Sequence, residues 1–186
     1  LGKVEDLCSE EDRRSKLSQR KFELLIKASG LGSIEIIKKL SLCYEEGRGT
    51  IKNKELASFY RKMVENTANP TALDQMCQSI PSNDEDITMN CLKTMFALGS
   101  IFASYLIGMR LKMKGDNKGA FEKFQRASDG GILEATYKLA LCYEEGRGTE
   151  IDINEALSLL RRASEGGCGD ASYRLGLIHE EGRGVT

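Results

Sequence analysis

The sequence predicts an all-α solenoid, a fold in which short helical hairpins stack one after another along the chain. Two observations predict it. The eight letters "CYEEGRGT" occur unchanged at 43–50 and 142–149, and an altered copy, "HEEGRGVT", lies at 179–186. Longer stretches around these copies match in register at a spacing near 36 residues. A fixed period of this size is typical of repeat architectures, in which each unit contacts only its neighbours.

The clearest register joins two segments that begin at Ala120 and Ala156, 36 positions apart. The small residues and the tyrosine inside them recur at the same spacing: Ala127 with Ala163, Gly131 with Gly167, Ala135 with Ala171, and Tyr137 with Tyr173. A third stretch, "GSIFASYLIGM", begins at Gly99 and matches at a spacing of 32. The missing residues lie in a shorter loop at 112–117.

Each unit is predicted to contain two helices. The first, Leu133–Glu145, has its apolar residues at spacings of three and four, namely Ala135, Leu139, Cys142 and Tyr143. Gly146 should end it in a left-handed cap, a conformation that glycine adopts freely. The second helix, about Asn154–Ser164, should turn four residues inward: Ala156, Leu159, Leu160 and Ala163.

This template divides the chain into a single array with six segments. They are a preceding partial repeat at 1–32, a repeat at 33–66, a degenerate repeat at 67–99, repeats at 100–131 and 132–167, and a truncated repeat at 168–186. In the first segment, residues 21–32 supply a second helix. In the degenerate segment, Leu92 and Met95 align with Phe124 and Ala127, and we expect short or bent helices. Because the pattern stops inside a connecting loop, we expect the parent protein to continue.

Residues 135–167, "ATYKLALCYEEGRGTEIDINEALSLLRRASEGG", resemble the Sel1-like repeat, a relative of the tetratricopeptide repeat. Ala140 replaces one family glycine, and Leu159 and Leu160 replace an aromatic pair. Residues 171–185 also fit the pattern, and 103–131 and 40–65 fit it more loosely. The resemblance implies a right-handed superhelix of helical hairpins that acts as a protein–protein interaction scaffold or adaptor without catalytic activity.

Composition excludes several function classes. Lys and Arg number 27 against 28 acids, for a net charge of −1, so the broad basic field of a nucleic-acid-binding protein is missing. No apolar run reaches the roughly 18 residues of a membrane span, so we expect no membrane insertion. The six cysteines follow no zinc-ligand spacing, and Cys43 and Cys142 are predicted to be small apolar residues that pack on a helix. This favours a reducing compartment and a cytoplasmic location.

The motif "EEGRG" has a structural and a functional interpretation. Its glycines shape the turn, and we expect Arg48, Arg147 or Arg183 to bond the free carbonyls at the helix end. Negative charge at the C-terminal end of a helix is unfavourable. The acids, such as Glu144, are therefore either stabilised by a nearby arginine or exposed in a groove that binds a basic partner. A catalytic pair is not predicted, because adjacent helical residues point about 100° apart. His179 takes the place of Tyr143 and is predicted to pack. We therefore predict no enzyme, no cofactor and no metal.

The candidate binding residues are tyrosines at one repeat position and the residues one and two turns after them. They are Tyr105, Tyr137 and Tyr173, then Met109, Leu141 and Leu177, then Lys112, Glu144 and Glu180. The resemblance to tetratricopeptide arrays implies that this stripe faces a concave groove. Two alternatives stay open: packing between helices, or a peptide groove with aromatic anchors and an acidic rim.

The sequence thus predicts a monomer-capable, non-catalytic scaffold that binds a partner protein or a peptide with basic residues through its groove. The alternative is a regulatory or substrate-docking segment of a larger enzyme, such as a protein kinase. The sequence does not separate these two functions.

Overall fold

The structure, a computed structural model, describes residues 10–180. These residues form ten α-helices and contain no β-strand, which confirms the all-α prediction. The chain divides into two compact units, unit 1 over Leu1–Gly99 and unit 2 over Ser100–Thr186. The helices are α1 Glu10–Ser29, α2 Ile34–Glu46, α3 Lys54–Glu65, α4 Pro70–Met76 and α5 Glu85–Ala97 in unit 1, and α6 Ile101–Met113, α7 Asn117–Asp129, α8 Leu133–Glu145, α9 Ile153–Glu165 and α10 Gly169–Glu180 in unit 2.

In unit 2 each helix packs against the next one along the chain, from α6 to α10. Short polar side chains begin three of these helices, because their oxygens accept a hydrogen bond from an otherwise unpaired backbone N–H three residues on. Ser100 caps α6 at 3.0 Å, Asp116 caps α7 at 2.9 Å and Asp152 caps α9 at 3.0 Å. The hairpins are therefore delimited by local sequence as well as by packing.

The core of unit 2 consists of the apolar faces of these helices. All four residues predicted to turn inward from α9 are at most 5 % exposed, which confirms that prediction. Close helix approach depends on small residues: a Cβ at Gly108 in α6 would lie 2.8 Å from the ring of Phe124 in α7. The ring of Phe124 is itself fully buried. Glycine at position 108 thus permits the close approach of α6 to α7.

In unit 1 the α2–α3 hairpin packs against α1, and α1 also contacts α5. A buried polar network joins these helices. The Nδ2 group of Asn90 in α5 donates to the hydroxyl of Tyr60 in α3 at 3.0 Å and to the hydroxyl of Ser29 in α1 at 3.2 Å. Thr94 donates to the same Ser29 hydroxyl at 3.3 Å. The hydroxyl of Tyr60 also accepts from the thiol of Cys91 at 3.3 Å.

Two predictions about unit 1 need correction. Helix α1 begins at Glu10, although the repeat pattern predicts a helix only over 21–32. The degenerate segment also contains α5, a full helix of 13 residues, rather than only short or bent helices. Helix α4, with 7 residues, is short as predicted. Leu92 and Met95 are fully buried in α5, as their alignment with core positions of α7 predicts.

Candidate partner-binding face

The shared eight letters form the same turn in both copies that the structure describes. Each preceding helix ends at a glycine in the left-handed conformation, Gly47 with φ 78° and Gly146 with φ 67°. The backbone N–H groups of this glycine and of the next arginine donate to one cysteine carbonyl. The partners are Cys43 for Gly47 and Arg48, and Cys142 for Gly146 and Arg147. The predicted left-handed cap is therefore confirmed.

The second glycine of each turn lies against the helix that precedes the hairpin. Gly49 has φ 73° and Gly148 has φ 80°. A Cβ at Gly49 would collide with the carbonyl oxygen of Ser18 in α1, and a Cβ at Gly148 would collide with that of Asn117 in α7. The motif is thus a joint between neighbouring hairpins, and its repetition is explained by structure.

In the two copies of the motif that the structure describes, the acids are paired with arginines of the same chain, among them Glu45 with Arg61 at 3.5 Å. Arg147 Nε lies 2.6 Å from a carboxylate oxygen of Glu145, and Arg48 pairs with Glu46 in the same way. The prediction that these arginines bond the free carbonyls at the helix end is confirmed for Arg48 and Arg147, whose backbone N–H groups donate to them, while Arg183 lies outside the described residues. Arg174 in α10 contacts both carboxylate oxygens of Glu144, at 3.0 and 2.5 Å. Of the two alternatives for the acids, the structure shows the first, in which arginines pair with them.

The three tyrosines of the candidate site differ in exposure. Tyr105 and Tyr137 are half-buried and pack against the core of unit 2. The ring of Tyr105 lies 6.3 Å from that of Phe124 and 5.7 Å from that of Phe102. Tyr173, in α10, is 71 % exposed. Two tyrosines therefore pack in part against the core and one offers most of its surface to solvent, and the peptide groove stays a prediction.

Helices α8 and α10 are linked at this site by Arg174, which contacts both carboxylate oxygens of Glu144, and charges from both helices act on the tyrosines. Burial raises the pKa of Tyr105, and the negative charges of Glu134 in α8 and Asp170 in α10 raise it further. Burial and Asp170 also raise the pKa of Tyr137, while the charge of Arg174 opposes that shift. Asp170 thus lies near tyrosines from two different helices. We call the surface formed by Tyr105, Tyr137, Tyr173, Glu134 and Asp170 the tyrosine face.

The other candidate residues occupy several environments. Met109 packs against the core, and Leu141 and Leu177 are half-buried. Lys112 lies close enough to Cys142 for its charge to oppose the rise that burial causes in the pKa of that thiol. Glu180 is exposed. The carboxylate of Glu144 differs from the predicted rim acid in being only 7 % exposed and paired with Arg174.

Sequence reasoning missed the two acids of the tyrosine face. Glu134 stands three residues before Tyr137, and Asp170 stands three residues before Tyr173. Residues three apart are neighbours on a helix surface, so this spacing could have identified them. Arg174 offered no comparable signal, because its partner Glu144 lies 30 residues away. His179 is exposed, so the prediction that it packs is wrong.

The described part of the chain contains no group of three or more histidine, cysteine or acidic residues placed to hold a metal ion. Its helices are also too short or too polar for any of them to cross a bilayer. Five cysteines within residues 10–180 are free thiols: Cys43, Cys77, Cys91, Cys142 and Cys168.

Comparison with known proteins identifies the repeats. The model of the Sel1 repeat matches residues 38–60, 133–168 and 169–186. Residues 38–60 and 133–186 carry Sel1 repeats. Such repeats mediate protein–protein interaction, and proteins of this family are typically non-catalytic.

Two solved structures share the fold, which confirms the α-solenoid class. A Sel1 repeat protein from Oxalobacter formigenes is 26 % identical, with a TM-score of 0.55 over 87 % of this chain and 49 % of its own. The protective antigen c5321 of uropathogenic Escherichia coli, which displays an SLR fold, is 19 % identical. Its TM-score is 0.59 over 90 % of this chain and 38 % of its own.

Among curated proteins, the chain is similar to the DAP3-binding cell death enhancer 1 of Rattus norvegicus and Mus musculus. The identities are 36 % and 35 % over 66 residues, which make up 36 % of this chain. The match spans 13 % of the length of those relatives.

Proposed function

We propose that the tyrosine face of unit 2 binds a peptide segment of a partner protein that carries Lys or Arg next to apolar anchors. The chain then acts as a non-catalytic adaptor. The observation that carries this proposal is the position of Asp170, whose charge acts on tyrosines from both α6 and α8. This supports a surface on which aromatic rings and carboxylates lie together.

The aromatic part supports binding through apolar contact. Tyr173 leaves 71 % of its surface exposed, and Tyr105 and Tyr137 are only half-buried. Tyrosine is enriched at protein interfaces because its ring supplies a large contact area while its hydroxyl can still form a hydrogen bond. A partner that covers these rings therefore gains apolar burial at little cost in side-chain entropy.

The acidic part supports selection of basic residues. Glu134 and Asp170 are exposed, and the negative charge of each acts on Tyr105. A cation placed over a tyrosine ring and near a carboxylate is attracted by both. Glu144 has a different role in this proposal: its ion pair with Arg174 ties α10 to α8 and so fixes the position of Tyr173.

The comparisons support a protein as the class of partner. Sel1 repeats bind protein partners, and the names of the rat and mouse relatives describe them as binding another protein, DAP3. The alternative, a docking segment of a larger enzyme, stays a prediction. The sequence of the complete parent polypeptide decides it, because that enzyme would share the same chain.

The test is selection from a peptide display library with the purified chain, followed by affinity measurement on the enriched peptides. We expect enrichment of Lys or Arg beside an aromatic or aliphatic residue, with affinity that falls as salt rises. Tyr137→Ala should weaken binding by more than tenfold, about 1.4 kcal/mol or more, because central anchors dominate interface energy. The double variant Glu134→Gln, Asp170→Asn should weaken basic peptides and lose most of the salt dependence.

Glu150→Gln is the matched control, since it removes an exposed acid in the turn after α8 and outside the tyrosine face. Circular dichroism should first establish that each variant keeps its helical content. If Tyr137→Ala and the double acid variant bind the selected peptides as tightly as Glu150→Gln does, the tyrosine face is not the binding surface.

A further inference from the structure

A cavity of about 520 Å³ lies in unit 1, between α3 and the segment that follows it along the chain. One face of α3 forms one side, and the end of α4 with the loop after it forms the other. Lys54, Glu55, Phe59 and Lys62 line the first side, and Met76 and Pro81 line the second. All of these residues lie between positions 54 and 81, in the interior of the sequence.

The shortness of α4 explains the cavity. Helix α4 has 7 residues, whereas α2 and α8, the first helices of two regular repeats, have 13 each. After Met76 the chain continues through 77–84 without helix or strand, until α5 begins at Glu85. A loop therefore faces α3 where a regular repeat would place nearly two more turns of helix.

The loop side of the cavity is anchored to α5. The thiol sulfur of Cys77 lies 3.8 Å from the sulfur of Met95. The hydroxyl of Thr88 donates to the backbone carbonyl of Ser82 at 3.2 Å, and the backbone N–H of Asp84 donates to the hydroxyl of Ser82 at 3.1 Å. The cavity is therefore formed in the free chain, and a ligand need not order this loop in order to bind.

Part of the lining is apolar. Phe59 is only 7 % exposed, so its ring is held by the core of unit 1, and Met76 and Pro81 opposite it are half-buried. An apolar side chain that enters between them would remove apolar surface of both molecules from water. The cavity thus offers a place for one apolar anchor of a ligand.

Two lysines of α3 flank Phe59 along the helix. Lys54 and Lys62 are both exposed, and within the described part of the chain neither ammonium group is paired with a carboxylate. They are eight residues apart, which separates their Cα atoms by about 12 Å along the helix axis. Glu55 is an exposed acid of the same lining, so its listed charges sum to one excess positive charge. Both lysines are therefore available to an anionic ligand.

We propose that this cavity binds an extended peptide segment of a partner protein in which an apolar residue stands midway between two acidic residues. In an extended chain, residues i, i+2 and i+4 point to the same side, and the first and last are about 13 Å apart. This length matches the separation of Lys54 and Lys62. The two acids then approach the lysines while the apolar side chain at i+2 packs against Phe59.

This site selects the opposite charge to the one proposed for the tyrosine face. It lies in unit 1 and uses none of the residues of that face, so the two sites are independent of each other. An adaptor that carries both would hold two partner segments of unlike charge.

The test measures fluorescence anisotropy of the full chain with the labelled peptide Asp-Ser-Leu-Ser-Asp. Replacing its leucine by serine should lower the affinity by about tenfold, through loss of apolar burial. Lys62→Gln should weaken binding by about two- to fivefold, the strength of one exposed ion pair. Glu55→Gln should strengthen binding, because it removes a repulsive charge. Lys52→Gln is the matched control, since it removes an exposed cation just before α3 and outside the lining.

Each alternative gives a distinct result. Equal losses of affinity in Lys62→Gln and Lys52→Gln would show that general positive charge holds the peptide, and tighter binding of Lys-Ser-Leu-Ser-Lys would show the wrong charge preference; either overturns the site. The double variant Glu134→Gln, Asp170→Asn should bind the acidic peptide unchanged, and a change there would place the peptide on unit 2 instead. Self-association of the chain that Lys62→Gln abolishes would identify a second copy as the occupant and overturn the peptide.

Discussion

Replacing the second glycine of the repeated turn should cost far more stability than its left-handed backbone alone explains. Gly148 has φ 80°, and Gly131 has a similar φ of 89°. The two differ in what a methyl group would meet. At Gly131 nothing lies within 4 Å of a Cβ. At Gly148 the Cβ would collide with the carbonyl oxygen of Asn117 and would lie 2.7 Å from its carbon and 3.0 Å from the Cβ of Phe121.

The expected magnitudes follow from these two environments. Forcing alanine into the left-handed region costs about 1 kcal/mol, so Gly131→Ala should destabilise the chain by that amount. Gly148→Ala carries the same backbone cost and adds an overlap with backbone atoms of α7, which cannot rotate away as a side chain can. Overpacking of this kind adds about 1–3 kcal/mol. The total for Gly148→Ala is then about 3 kcal/mol.

Urea unfolding followed by circular dichroism at 222 nm, the standard helix signal, measures both variants. At a slope of about 2 kcal/mol per molar urea, the midpoint of Gly148→Ala should lie about 1 M below that of Gly131→Ala. Gly146→Ala is a useful third variant, because its Cβ meets the side chain of Ile151, which is exposed and can move. Equal midpoints for Gly148→Ala and Gly131→Ala would refute the explanation that the second glycine is needed for the close contact of this turn with α7.

Three further predictions concern buried polar groups. Arg174→Ala should lower the free energy of unfolding by about 3 kcal/mol, because it leaves the enclosed carboxylate of Glu144 unpaired; urea unfolding checks this, and no change would contradict it. Tyr60→Phe removes the acceptor of the Asn90 amide and should cost about 1–3 kcal/mol in the same assay, whereas a neutral result would show that the hydroxyl is dispensable. Burial raises the pKa of Tyr44 to about 12. The unfolded chain therefore loses this proton first, near pH 10, and stability should fall between pH 10 and 12, less steeply in Tyr44→Phe; identical pH profiles would exclude Tyr44 as a cause.

Much of the hairpin architecture could be predicted because repetition supplies many observations of one pattern. The predicted first helix, Leu133–Glu145, coincides with α8, and the left-handed cap at Gly146 has its expected φ. Both depend on local rules: apolar spacing sets the buried face of a helix, and a glycine in an αL cap ends it. The second helix extends one residue further at each end than predicted, as Ile153–Glu165.

Features that depend on particular neighbours could not be predicted in this way. Residues 10–20 of α1 are all exposed, so they carry no apolar periodicity from which a helix could be recognised. Helix α5 lacks the small-residue register of the other repeats, yet it is held by burial of Cys91, Leu92 and Met95. The pairing of Arg174 with Glu144 depends on how α10 stacks beside α8, which no local pattern contains.

Residues that are the same in each copy of the repeat and residues that differ between copies have different physical roles. Where the copies agree, as in "CYEEGRGT", the residues end a helix and seat a backbone turn against the preceding helix, and substitution there disturbs stacking. Where they differ, the surface changes while the stacking is kept. The place of Tyr137 in α8 is taken in α2 by Lys38, an exposed cation. A partner that recognises rings and carboxylates can therefore distinguish the tyrosine face of unit 2 from the equivalent helix of unit 1, although both are built on the same hairpin. Recognition by such an array can therefore differ between units wherever the residue at an equivalent surface position differs, as it does between Tyr137 and Lys38.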